Sequence, residues 1–118
     1  RGGLPVVWRD AYGPTDRHPA RDLHLAVFPS KCQETYGLVV DEALAHGVPV
    51  VCSDAGALAE RAGTGGVMVT PLANLANVLR GLVTSSARLA ELRAAIPVAL
   101  PTIATSAERH LELYRRLR

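Results

Sequence analysis

The chain has 118 residues, 48% of them apolar and 20% charged, with a net charge of +2. These values suit one buried core and exclude two sizeable domains or wholesale disorder. The arginines are spread along the chain or gathered at its end, which excludes a strong nucleic-acid footprint, and no nucleic-acid partner is expected.

Aromatic residues are only 4% of the chain, so Ala, Val and Leu must build the core. Cys32 and Cys52 form no C-x-x-C pair, so a reducing compartment is expected and a disulfide framework is not. No leader-like segment opens the chain and no apolar run reaches membrane-spanning length, so no membrane span and a cytoplasmic location are expected. The opening Arg-Gly-Gly-Leu lacks a Met, and a piece of a longer or processed chain is expected.

Residues 4–8 (LPVVW) are a short apolar run that predicts a strand. Residues 9–21, with Gly13, Pro14 and Pro19, read as a connection. Residues 23–28 (LHLAVF) predict a second strand, with His24 packed inside it and Pro29-Ser30 at its end. Residues 38–46 place Leu38, Val39, Ala43 and Leu44 at helical spacing, with Gly47 as the stop and His46 meeting the last carbonyls. Residues 48–52 (VPVVC) predict a third strand whose Pro49 lies at its start, where a missing donor is tolerated.

Asp54 is expected to cap a short helix over 57–62. The run Gly63-Thr64-Gly65-Gly66 lacks the form of a phosphate loop and reads as a turn into a strand over 67–69. Beyond Pro71 the pattern is helical. Leu72, Leu75, Val78, Leu79 and Leu82 share one face, Leu89 and Leu92 mark a second helix, and residues 105–117 a third. Pro97 and Pro101 interrupt the path to that last helix, whose closing arginines complement its dipole. Continuous apolar strands alternating with helices indicate a buried parallel sheet. The fold class is therefore α/β, Rossmann-like, with residues 1–118 read as one unit and 105–118 as its terminal helix.

The chemistry concentrates in residues 33–44, QETYGLVVDEAL. This stretch joins a strand to a helix, and in a parallel sheet such loops lie at the carboxyl edge, where ligands bind. A helix start offers unpaired N–H groups and a positive dipole end, and Gly37 lets a phosphate approach the backbone. Carboxylates suit sugar hydroxyls instead. Glu34 lies before the helix and Glu42 inside it. At about 3.3 Å per extended residue and 1.5 Å per helical one, their carboxylates can stand roughly 10 Å or more apart. That is wide for an acid/base pair on one glycosidic bond, which needs about 5 to 10 Å. It suits a long ligand with hydroxyls at both ends and phosphates between. A helix-capping Glu34 and a solvated Glu42 are the competing reading.

The ordered residues Pro29, Ser30, Glu34, Tyr36, Gly37, Leu38, Glu42, Ala43, Leu44, Ala45, Gly47, Pro49, Val50, Val51, Asp54, Gly56 and Glu60 carry a resemblance. The chain resembles the C-terminal domain of retaining GT-B glycosyltransferases of family 4, the glycosyl transferases group 1, over residues 8–69 and more loosely in the tail. The resemblance implies a nucleoside-diphosphate sugar as donor, an acceptor it does not name, and no metal or other cofactor. It implies that Glu34 contacts the donor sugar at the reaction centre as the catalytic-site glutamate. Thr35, Tyr36 and Gly37 would form the loop whose backbone lines the sugar and phosphate, Leu38 and Val39 would open the phosphate-facing helix, and Glu42 would hold the ribose hydroxyls.

The family's acceptor domain, glycine-rich turn and diphosphate-neutralising Arg/Lys pair find no counterpart here. Arg9 and Lys31 are candidates for such a cation, each against an ordinary solvated role. The missing N-terminal domain of a parent enzyme is thus an expected partner, and the isolated chain is expected to be inactive. A truncated nucleotide-sugar-binding or association module is the rival reading, with a sugar-nucleotide epimerase of GT-B type behind it. The open sheet edge and apolar cleft wall make self-association a further expectation. The four histidines show no metal-ligand spacing.

Overall fold

The computed structural model describes residue 3 and residues 5–118. Three parallel strands form one sheet in the order β1-β2-β3, with β1 at Ala26–Phe28, β2 at Val50–Ser53 and β3 at Val67–Thr70. Val50 is paired with Ala26 on one side and Val67 on the other, and Cys52 with Phe28 and Val69. Every residue of β2 is buried, as its position between two neighbours requires.

Helix α1, Leu38–Ala45, carries the chain from β1 to β2. It buries Val40, Ala43 and Leu44 against Val50, Cys52 and Leu58. Side chains alternate across a strand, so Val51 points to the opposite face. There it meets Leu75 and Leu82 of α2, Leu75–Val83, with Val78 and Leu79 packed beside them. The sheet is therefore covered on both faces, and its two apolar layers follow directly from the alternation of Val50, Val51 and Cys52. Helix α3, Ser86–Ala94, starts where the Ser85 side chain accepts from the Arg88 N–H. Ile96 and Leu100 return the chain to the α1 layer.

Helix α4, Ile103–Arg116, begins two residues earlier than the apolar spacing predicts, because the Thr102 hydroxyl accepts from the Thr105 N–H and caps it. It buries no residue. Among the described residues no helix is long and apolar enough to cross a membrane.

Several sequence expectations are corrected. Residues 5–8 form no strand and leave the outer edge of β1 unpaired among the described residues, and Trp8 is 91% exposed. Leu4, the first residue of that expected strand, lies outside the described residues. The second strand is shorter than expected, and His24 precedes it on an exposed bend where its carbonyl accepts from Arg93. Residues 57–62 hold only a 3-10 turn, Ala59–Arg61, whose first residues have no side-chain cap, so Asp54 does not cap it. The His46 backbone N–H donates to the Ala43 carbonyl and the Gly47 N–H to the Leu44 carbonyl, while the His46 ring stacks on His18. The connection over 9–21 gains a 3-10 turn at Pro19–Asp22.

Candidate functional site

The carboxyl ends of β1 and β2 fix Glu34. The Ser53 hydroxyl at the end of β2 donates to the Ser30 carbonyl at 2.7 Å, and the Ser30 hydroxyl donates to Glu34 Oε1 at 2.7 Å. The Glu34 backbone forms a parallel bridge with Gly56, and its carbonyl accepts from the Ala57 N–H at 2.8 Å. Glu34 is thus half-buried, with its main chain tied to the loop after β2 and one carboxylate oxygen tied to β1. Its side chain caps no helix, since α1 starts at Gly37 without a side-chain cap. Ser30, which the sequence suggests only as a strand end, orients the glutamate.

Gly37 adopts φ 78°, a left-handed conformation in which a side chain is strained. It is also buried against Leu58, where an added Cβ would come within 2.8 Å of Leu58 Cδ2. Packing therefore demands a glycine here quite apart from any ligand. Leu38 and Val39 follow at the exposed first turn of α1, where backbone N–H groups lack intrahelical acceptors.

Two cavities meet around this helix start. One, of about 240 Å³, is lined by Phe28, Pro29, Ser30, Glu34, Val39 and Leu58. The other, of about 490 Å³, is lined by Tyr12, His18, Leu25, Val27, Phe28, Val39 and Glu42, together with neighbouring apolar residues. Phe28 and Val39 belong to both. Glu34 and Glu42 therefore face separate, adjoining spaces on one sheet edge. Thr35 and Tyr36 face elsewhere, into a third hollow of about 260 Å³ with Ala57, Glu60, Arg61 and Thr64.

Arg61 holds that third region together. Its guanidinium donates to both Asp41 oxygens at 2.9 Å and to the Tyr36 carbonyl at 3.2 Å, and it lies 5.0 Å from the Tyr36 ring centre. Burial pulls its pKa down, but the hydrogen bonds and charge of Asp41, with Tyr36 adding to them, more than offset this and hold it above the ordinary arginine value. Arg61 is thus a fixed cation pinning the 35–37 loop to α1. Nothing in the sequence pattern singles it out, because its partner lies 20 residues away. Arg9 and Lys31 are exposed, and neither lines these cavities.

Glu42 also has partners that the sequence does not announce. The Tyr12 hydroxyl donates to Glu42 Oε2 at 3.5 Å, and His18 Nε2 stands 3.7 Å from the same oxygen. Both come from the connection before β1. Among the described residues no cluster of His, Cys, Asp or Glu could hold a metal ion.

A three-stranded parallel, Rossmann-like sheet flanked by helices defines a partial domain of GT-B type. Residues 16–85 match the family model described as "Glycosyl transferases group 1". The chain belongs to that family. It is similar to a D-inositol 3-phosphate glycosyltransferase 1 of Catenulispora acidiphila, with 49% identity over 74 residues. That match takes in 59% of this chain and 18% of the relative, so the chain spans only a small part of the relative's length. No solved structure matches significantly.

Proposed function

We propose that this chain forms part of the donor-binding side of a retaining glycosyltransferase that uses a nucleoside-diphosphate sugar and no metal. The observation that carries this reading is the pair of cavities joined at Phe28 and Val39, one holding Glu34 and the other Glu42. A donor laid across that join places its sugar at Glu34 and its ribose at Glu42. The diphosphate between them meets the first turn of α1, where N–H groups and the helix dipole favour negative charge. Ser30 leaves Glu34 Oε2 available for sugar hydroxyls. The larger cavity, apolar beside Glu42, suits the flat face of a nucleobase. Thr35 and Tyr36 line the hollow that Arg61 lines, which leaves the backbone of their loop to line the sugar and phosphate.

Retaining transfer needs the leaving diphosphate's charge stabilised and the acceptor positioned. The two cavities present carboxylates, hydroxyls, an imidazole and apolar walls to that charge, and α1 supplies only its N–H groups and dipole. The isolated chain therefore binds donor without turning it over, and the rest of a parent enzyme supplies the cation. What the relative's name says is not carried to this chain, because the match takes in only 18% of the relative.

The test is calorimetry with uridine, guanosine and adenosine diphosphate sugars on the full-length parent, then on its Glu34→Ala and Glu42→Ala variants. Each substitution is expected to weaken one diphosphate sugar about ten-fold or more, as loss of a charge-assisted hydrogen bond does. Unchanged binding in both variants would remove the site assignment. Sugar transfer by the purified 118-residue chain would remove the claim of inactivity.

A further inference from the structure

We infer that Tyr12 and His18 are positioning residues for the Glu42 carboxylate, and that they set its preference for a ribose diol. This rests on the reading of Glu42 given above and adds to it residues from a connection that the family pattern leaves unassigned. The Ala20 N–H donates to His18 Nδ1 at 3.2 Å. A neutral imidazole that accepts at Nδ1 carries its proton at Nε2. Nε2 lies 3.2 Å from the Tyr12 hydroxyl, which it serves as donor, and the Tyr12 hydroxyl in turn donates to Glu42 Oε2. The donors thus run in one direction, from the Ala20 backbone through imidazole and phenol to the carboxylate.

The rings are braced as well. Tyr12 meets His18 edge-on at 5.0 Å between centres, and His46 stacks on the other side of His18 at 4.5 Å. His46 is the C-cap of α1, the helix that carries Glu42, so the relay and its target are mounted on the same element. Glu42 is 48% exposed in its side chain and would otherwise sample several rotamers. Holding Oε2 leaves Oε1 for a ligand in the cavity that Glu42 lines, where paired hydroxyls can donate to the carboxylate. The ligand class is a ribonucleotide with free 2′ and 3′ hydroxyls.

The experiment has two arms on the 118-residue chain. Long-range proton–nitrogen NMR reads the His18 tautomer directly. The Nε2–H form is expected, and the Nδ1–H form would overturn the relay. Calorimetry then compares ADP, GDP and UDP with their 2′,3′-dideoxy forms. Tyr12→Phe and His18→Phe are expected to lower the ratio of ribose to dideoxy affinity about five-fold, a ratio in which any change in the cavity wall common to both forms cancels. His18→Gln, which keeps an amide N–H near the Nε2 position, is expected to restore most of it. A full ribose preference in both Tyr12→Phe and His18→Phe, alongside its loss in Glu42→Gln, would overturn the positioning role alone. A wild-type chain with no ribose preference would instead take down the diol role of Glu42, and this inference with it.

Discussion

Glu34 and Gly56 lie so close that a Cβ on Gly56 would stand 2.4 Å from the Glu34 carbonyl oxygen and 2.6 Å from its nitrogen. The two backbones form a β-bridge, and the loop after β2 thereby sets the position of the glutamate. Gly56 also has φ 59°, which disfavours any side chain. Gly56→Ala therefore meets both strain and backbone overlap. The left-handed conformation alone costs about 1 kcal/mol or more, and the clash adds to it. We expect Gly56→Ala to lower the denaturation midpoint clearly and to shift the Glu34 amide resonance. An unaltered Glu34 amide would show that the bridge does not hold the glutamate.

The Arg61–Asp41 pair makes a second, separable prediction. Their side chains are 16% and 28% exposed, so solvent screens the pair only in part. Arg61→Ala would leave Asp41 half-buried without its fork and free the Tyr36 carbonyl. A destabilisation of about 1.5–3 kcal/mol is expected, the usual range for hydrogen bonds to charged groups. Arg61→Lys should recover little, because an ammonium cannot grip both oxygens at once and stacks less well on Tyr36. Urea denaturation of the three proteins checks this, and full recovery by lysine would show that the fork geometry is unimportant.

The two cysteines should differ sharply in reactivity. Cys32 is exposed, whereas Cys52 is buried at the centre of β2. Burial pushes the Cys52 thiol above its ordinary value of 9.0, and the nearby Arg61 charge opposes this only in part. The fold thus favours the neutral thiol. Its contribution to stability is full below the unfolded thiol's pKa and declines as pH rises beyond it, where the unfolded chain can ionise and the folded one resists. At pH 8 an aromatic disulfide reagent is expected to modify one thiol per chain quickly, and the second only at the rate of unfolding. Rapid modification of both would contradict the packing of β2.

The sheet was legible because its strands are continuous apolar runs, and Val50, Val51 and Cys52 read as a buried centre without any partner in view. The opening LPVVW run shows the limit of that signal. Its composition suits a strand, but pairing needs a neighbour, and composition does not reveal whether one exists. Glu34 and Glu42 stood out through their spacing around Gly37, and the structure sets them in adjoining spaces. Their supports did not stand out. Ser30 reaches Glu34 locally, but Gly56, Arg61, Tyr12 and His18 act through contacts made only when distant segments fold together. Gly37 was legible as a glycine at a helix start, yet its contact with Leu58 depends on the turn after β2.

The last helix offers a test of which segments hold the fold together. Helix α4 has an amphipathic sequence, yet Ile103, Leu111, Leu113 and Tyr114 are all exposed, and no residue of the helix is buried. Apolar burial is what makes a helix contribute to stability in water, since short isolated helices are marginal. Ile96 and Leu100, just before it, do pack against the α1 layer. A chain ending after Pro101 should therefore keep its stability within about 0.5 kcal/mol, as surface changes usually do. One ending after Ala94 should lose more, because Ile96 and Leu100 go with it. Thermal unfolding of the two truncations separates these outcomes. A large loss on removing residues 102–118 alone would mean that α4 packs in solution against a surface it does not cover here.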